Sequence, residues 1–221
     1  MGEWRPGSDL RIALRLRPEA LPIGVSEAVV SVRMSNEVFR LTVPAFHPGE
    51  IPDSEVLPVW IEDAGTVTIP ATGFFAAHAP ESITWRRITG LGSTGTMVEG
   101  GPAAAERFAD DWGVKENNPW LDYRFLTFNR GWVTIESAVL ALHASSKERG
   151  CIHAVSVNDG PELICNAATY QRDEAWMQAV ETNLVRVRTR HFIRRPGWQA
   201  LRLYLCDTGV FFDHFTITFE P

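Results

Sequence analysis

Asn118 to Thr134 reads NPWLDYRFLTFNRGWVT, and the fold is decided there. After the turn-forming Asn118-Pro119, Trp120, Asp122 and Arg124 fall on one face of a strand and Leu121, Tyr123 and Phe125 on the other, since successive strand side chains point to opposite faces. Asn129-Arg130-Gly131 is predicted to turn the chain into a second strand, Trp132-Val133-Thr134-Ile135, closing a hairpin. Aromatics this dense need burial. The hairpin is therefore predicted at the centre of a β-sandwich, with Leu121, Tyr123 and Phe125 in the core and Trp120, Asp122 and Arg124 projecting away.

Downstream and upstream of this stretch, turn signals recur: Asp63-Ala64-Gly65, Gly90 to Gly95, Gly100-Gly101-Pro102, Asn158-Asp159-Gly160-Pro161, Pro196-Gly197 and Asp207-Thr208-Gly209. Between them lie short alternating segments such as Leu201 to Leu205 and Phe211 to Phe219, in which Phe211, Phe215, Ile217 and Phe219 are predicted to share a face. Short strands at this turn spacing predict an all-β chain, a β-sandwich of the jelly-roll or carbohydrate-binding-module kind, over residues 59–221. One short helix is expected, around Ala103 to Trp112 or Glu174 to Leu184.

Residues 1–47 read differently. Leu10, Ile12, Leu14 and Leu16 alternate with Arg11, Ala13 and Arg15; Val30 and Val32 alternate with Val29 and Ser31; and Ser35-Asn36 leads into Phe39, Leu41 and Val43. This predicts a small three-stranded antiparallel meander, part of an immunoglobulin-like domain that needs about seven strands to close. His47 to Pro58, HPGEIPDSEVLP, is proline-rich and acidic, so residues 48–58 are predicted to be a linker.

The 221 residues suffice for a large core, burying roughly 70% of the unfolded surface. The 45% hydrophobic and 22% charged content is that of an ordinary globular chain and argues against disorder. A net charge of −6 argues against nucleic acid and anionic membranes as partners. No spanning run and no apolar leader segment is visible, so a soluble chain without a signal peptide is expected. Cys151, Cys165 and Cys206 are odd in number and lack a C-x-x-C pair, which predicts buried free thiols and no metal or other cofactor.

Gly90-Leu91-Gly92-Ser93-Thr94-Gly95 has the G-x-G-x-x-G spacing of dinucleotide-binding loops, followed by Asp110-Asp111. The preceding SITWRRI of Ser82 to Ile88 is not the apolar strand of a parallel sheet, so the expectation is a loop between strands. Asp110, Asp111, Glu116, Asp122, Asp207 and Asp213 could supply a glycosidase acid and base, but the sequence does not bring any two together. The chain has no G-x-S-x-G or H-E-x-x-H motif, and its six histidines lack ligand spacing. No catalytic residue is assigned.

Binding is more legible. Of the eight tryptophans, Trp112, Trp120 and Trp198 sit in or beside loops, where an indole can stack on a sugar ring, although buried packing is the commoner role. Arg186, Arg188 and Arg190 alternate, with Arg194 and Arg195 beyond. They form either a solvated edge or a surface for carboxylates, which guanidinium binds bidentately.

The run Trp85-x-x-Ile88-x-Gly90-Leu91-Gly92-x-x-Gly95, then Pro119 to Tyr123, His153 to Asp159, Trp176 with Val180 and Asn183, Pro196-Gly197 and Asp207-Thr208-Gly209-Val210 resembles the C-terminal β-sandwich domain of glycoside hydrolase family 115. Leu14 to Pro48 resembles the last strands of the preceding domain in that family. The chain departs from the family at Thr208, Gln199 and His47, where proline, histidine and asparagine are usual. The family's enzymes are xylan α-glucuronidases whose catalytic region lies upstream, so the resemblance implies a non-catalytic, carbohydrate-binding-like accessory domain. The sugar-contact candidates are Trp112, Trp120, Arg124 and Trp198. Glucuronoxylan or another uronate-bearing glycan is the implied partner. The alternatives are a structural domain that packs on a catalytic partner or on a second copy and, behind it, an independent glycan hydrolase.

Overall fold

The computed structural model describes residues 17, 20–34, 37–47, 59–103, 108–110, 113–114, 117–141, 150–169 and 174–221. The chain divides into two units, Met1–Gly49 and Glu50–Pro221. In the first, β1 (Gly24–Met34) and β2 (Glu37–His47) form an antiparallel pair in unbroken register. Val30 and Val32 stand opposite Leu41 and Phe39, the face that alternation predicts. The strand expected over residues 10–16, the Ser35-Asn36 turn and the linker 48–58 lie outside the described residues.

The second unit runs β3 (Trp60–Ile61), β4 (Thr66–Pro70), β5 (Ala76–His78), β6 (Thr84–Thr89), β7 (Thr96–Gly101), β8 (Ala109–Asp110), β9 (Gly113–Val114), β10 (Trp120–Thr127), β11 (Gly131–Leu140), β12 (Ile152–Val157), β13 (Leu163–Asn166), α1 (Glu174–Thr182), β14 (Leu184–Ile193), β15 (Gly197–Leu205) and β16 (Val210–Phe219). One six-stranded sheet has the order β13-β12-β15-β10-β3 with β5 also on β10; the other is β14-β11-β16-β7-β6 with β4 also on β16. The short pair β8-β9 stands apart from both sheets. The inward faces of the two large sheets share one core, the predicted β-sandwich. Leu121, Tyr123, Phe125, Leu201, Leu203 and Leu205 from one sheet meet Val133, Ile135, Phe212, Phe215 and Ile217 from the other.

Alternation assigns the faces of β10 correctly. Leu121, Tyr123 and Phe125 are fully buried, while Trp120, Asp122 and Arg124 are half-buried on the outer face. The expected hairpin, however, does not form. β10 lies between β15 and the short β3 and β5, whereas β11 lies between β14 and β16 in the opposite sheet. Phe128 to Arg130 is therefore a corner that carries the chain across the sandwich. Two strands with apolar inner faces bury both by facing each other, which side-by-side pairing in one sheet would not achieve.

The corner has its own anchor. The carboxylate of Glu62, a residue only 5% exposed, accepts hydrogen bonds from Phe128 N at 2.7 Å, Asn129 N at 3.0 Å and Asn129 Nδ2. Gly131 follows at φ +133°, a conformation that side chains rarely adopt. Glu62→Ala is expected to destabilise the unit by about 1–2 kcal/mol, because two backbone donors at the corner lose a charged acceptor. Urea unfolding checks this, with Glu81→Ala, an exposed glutamate, as the neutral control.

Two further expectations are revised. Phe212, not Phe211, joins Phe215 and Ile217 in the core, and Phe211 packs on the outer cluster with Met97 and Leu184. The cause is a bulge. Ala138 pairs with His214 and Val139 with Phe212, so Asp213 is an extra residue that reverses the alternation. Of the two places considered for a helix, the second is helical, and Asn183 at φ +57° terminates it. In the first, Ala109–Asp110 is strand.

The three cysteines are free and buried, as expected. Burial pushes the Cys165 thiol up to about 12 and also raises that of Cys151.

Candidate functional site

The glycine-rich segment is the β6-β7 turn, a loop between antiparallel strands. Its backbone does hold an anion, but the anion is the chain's own Asp213. That carboxylate accepts from Ser93 N at 3.2 Å, Thr94 N at 3.4 Å, Thr94 Oγ1 at 3.1 Å and Ser93 Oγ, and it meets His214 Nδ1 at 2.9 Å. A Cβ on Gly92 (φ +76°) would collide with Asp213 Oδ1. Burial alone would raise the Asp213 carboxyl, yet the hydrogen bonds from Ser93, His214 and Thr94 hold it below the usual range. The backbone donors that a phosphate would use are taken by Asp213. The Ser93, His214 and Asp213 side chains do not make a nucleophilic triad either. Serine and aspartate both approach Nδ1, whereas a triad uses opposite ring nitrogens.

The other carboxylates considered for acid and base chemistry are separately engaged. Asp122 makes a bidentate pair with Arg202 at 2.6 and 2.7 Å, and Asp207 accepts from Gly150 N at 2.9 Å and Ile152 N at 3.0 Å. Asp111 and Glu116 lie outside the described residues, as does the side chain of Asp110.

A cleft of about 750 Å³ opens where the β12-β13 loop (Asn158 to Pro161) faces the β14-β15 turn (Arg194 to Pro196), and Trp132, Arg190, Phe192, Trp198 and Gln199 complete its walls. Trp132 and Phe192 are register partners in adjacent strands, 45% and 50% exposed, with ring centroids 5.2 Å apart in a T-shaped arrangement. Trp132 thus departs from the expectation that the aromatics of this stretch are buried. It shares the outward face of β11 with Thr134 and Glu136. Arg190 lies over its ring at 4.1 Å. Among the described residues, no carboxylate pairs with Arg194 or Arg195.

Gln199, 6% exposed, organises both loops of the cleft. Its Nε2 donates to Arg195 O at 2.8 Å, Gly197 O at 3.1 Å and Thr127 Oγ1 at 3.1 Å, and its Oε1 accepts from Asn158 Nδ2 at 2.8 Å. Asn158 Oδ1 in turn accepts from Ala200 N at 2.9 Å. The sequence marks Gln199 only as a departure from a family pattern. Its position beside a Pro-Gly turn is the signal that could have identified it.

Of the four predicted contact residues, the structure places Trp198 in the cleft. Trp120 is on the outer face of the same sheet but six residues away along the β10-β15 pair, about 20 Å at strand rise. It stacks on His78 at 5.8 Å and carries Arg202 at 4.2 Å. Arg124 lies over Phe75 at 4.9 Å. Trp112 lies outside the described residues. Of the three described, Trp198 alone lines the cleft, and Arg124, opposite Ala200, is two residues from it along the same outer face. The alternating arginines do find carboxylates, all within the chain: Arg186 and Arg188 on Glu136, and Arg190 on Glu220.

Fold and site together define a two-sheet β-sandwich module with an aromatic, arginine-flanked cleft at one end. The chain belongs to the glycosyl hydrolase family 115 C-terminal domain family, whose profile matches residues 59–221. No curated protein matches it significantly. Among solved structures, it is similar to a family GH115 4-O-methyl-α-glucuronidase with specificity for decorated arabinogalactans (16% identity, 67% of this chain and 18% of that one, TM-score 0.49). It is also similar to the C-terminal CBM6 of a marine laminarinase from Zobellia galactanivorans (16% identity, 70% of this chain and 99% of that one, TM-score 0.41). A third is a family 35 carbohydrate binding module from Clostridium thermocellum (11% identity, 70% of this chain and 98% of that one, TM-score 0.44). The chain spans 18% of the length of the glucuronidase chain it matches. Likeness at this level says nothing of a ligand. Among the described residues, no helix is long and apolar enough to cross a membrane.

Proposed function

We propose that the chain is a non-catalytic, glycan-binding accessory module of a family 115 glycosyl hydrolase, and that its cleft takes a uronate-bearing glycan such as glucuronoxylan. The observation that carries this is the composition of the cleft. Trp198, Trp132 and Phe192 offer apolar faces for a sugar ring, and Arg194 and Arg195, without carboxylates of their own among the described residues, offer guanidinium to a sugar carboxylate. Among the described residues, the single carboxylate lining the cleft is Asp159, whereas glycoside hydrolysis uses two. Removal of glucuronic acid side chains belongs, in this reading, to a catalytic region outside these residues. Residues 1–47 are the end of a preceding immunoglobulin-like domain, joined by the linker 48–58. Trp120 and Arg124, on the same outer face but outside the cleft lining, supply at most a secondary contact.

Retention on insoluble glucuronoxylan, against xylan stripped of uronate, tests the reading. Wild type is expected to be retained on the first and weakly on the second. Trp198→Ala is expected to lose affinity about tenfold or more, as truncation of an aromatic anchor does. Arg195→Ala is expected to reduce retention on glucuronoxylan alone and to flatten its salt dependence. Equal retention of wild type and Trp198→Ala would overturn the assignment of the cleft. No retention of wild type on either polymer would overturn glycan binding and favour a domain that packs on its catalytic partner.

A further inference from the structure

We infer that Glu220 is the positioning residue of the cleft's aromatic wall, holding Arg190 against Trp132 and so fixing the surface that a sugar ring meets. The inference rests on the cleft being the glycan site. Several hydrogen bonds converge on this one residue. Arg190 Nε donates to Glu220 Oε1 at 2.9 Å and Arg190 Nη2 to Oε2 at 2.7 Å, a forked pair. Thr134 Oγ1 reaches Oε1 at 3.3 Å, and the backbone N of Glu220 donates to the carbonyl of Trp132 at 2.9 Å. Glu220 is therefore tied to the backbone of the tryptophan whose ring its side chain indirectly covers.

The covering group is the guanidinium of Arg190, 4.1 Å from the Trp132 ring centroid, and Phe192 meets the same ring in a T-shaped contact. The charge on Glu220 is correspondingly favoured, mainly by the Arg190 hydrogen bonds, which lower its carboxyl from the usual range.

An exposed ion pair contributes little to stability, so the role of this one is geometric. Trp132 and Phe192 stand on the outside of a sheet, where nothing in the core fixes their rotamers. An aromatic that must be immobilised when ligand arrives lowers affinity, and one already immobilised does not. The clamp also divides the arginines by task. Glu220 matches the charge of Arg190, which backs the aromatic wall, and leaves Arg194 and Arg195 as the cations that face an anionic ligand.

The test is calorimetric titration of the full chain with glucuronoxylan oligosaccharides, in five proteins: wild type, Glu220→Gln, Arg190→Ala, the double variant and Trp198→Ala. Glu220→Gln and Arg190→Ala are each expected to weaken binding about fivefold with an unchanged unfolding midpoint, and the double variant to bind no worse than Arg190→Ala, because the two residues act as one unit. Multiplicative losses in the double variant would overturn the inference. Glu220→Gln binding as wild type does, while Trp198→Ala does not bind, would overturn it too and leave the glycan reading standing.

If wild type binds no oligosaccharide, the glycan reading falls and the clamp is judged without ligand. The fluorescence difference between wild type and Trp132→Phe is then expected to become more quenchable by acrylamide when Glu220→Gln is introduced into both. Unchanged quenching would overturn the clamp itself.

Discussion

Tyr123→Ala is expected to lower the unfolding free energy by about 4 kcal/mol, the range for a large aromatic removed from a packed core. Tyr123 is fully buried between the sheets. Its ring meets Phe215 at 5.2 Å and Phe74 at 6.5 Å, both edge to face. Its hydroxyl donates to the carbonyl of Ala71 at 2.9 Å, in the 3-10 turn that follows β4. Burial pushes the Tyr123 phenol well above its usual range, so the hydroxyl keeps its proton and remains a donor. Alanine leaves a cavity where β10, β16 and the 3-10 turn meet and strips one buried carbonyl of its partner. Tyr123→Phe isolates the second effect and is expected to cost about 1 kcal/mol.

Arg124→Ala, one residue on but on the outer face, is expected to stay within about 0.5 kcal/mol. Urea midpoints at constant m-value read all three. Equal losses for Tyr123→Ala and Arg124→Ala would overturn the division of β10 into a core face and a solvent face.

That division was legible because strand alternation is local. Each of Leu121, Tyr123 and Phe125 announces its face through its two neighbours, and no distant contact can move it without a bulge. The destination of the next strand was not legible. Asn129-Arg130-Gly131 can reverse a chain within one sheet or carry it to another, and the corner that carries it across is held by the carboxylate of Glu62, 67 residues before Asn129.

The Phe211 and Phe212 exchange has the same origin. The bulge that inverts their faces centres on Asp213, which is fixed by Ser93, 120 residues away, so a pattern read along β16 alone could not show it. In the cleft, Trp198 and the pair Arg194 and Arg195 could be named from loop position and composition. Trp132 was readable in principle, since it shares parity with the polar Thr134 and Glu136. The general tendency of aromatics to be buried points the other way. Its partner Phe192 becomes visible only through the β11-β14 register, and Glu220 only through its bonds to Arg190.

Acidification from about pH 6.5 to about pH 4 is expected to remove about 3 kcal/mol of stability through a single residue, His153. It lies on β12, fully buried, with its imidazole edge-on to the Phe212 ring at a centroid separation of 5.2 Å. Burial, only partly offset by the backbone at Cys151, pushes its pKa down to about 4. In the unfolded chain the imidazole titrates near its ordinary value of about 6.5.

Between those two values the unfolded state binds a proton that the native state does not, so stability rises with pH across the window and falls as the solution is acidified. Above the window neither state is protonated at this site, and below it both are, so the contribution is flat on either side. Asp213 and Glu136, whose carboxyls are held below the usual range, lose their contributions only at lower pH, where carboxylates protonate. Burial also lowers the pKa of His191, which adds a smaller dependence of the same sign.

His153→Leu, neutral at every pH, separates the two histidines. Urea unfolding at closely spaced pH values is expected to show the slope between pH 6.5 and 4 reduced to the part due to His191. A variant that retains the full wild-type slope would show that His153 is not the group charged on unfolding.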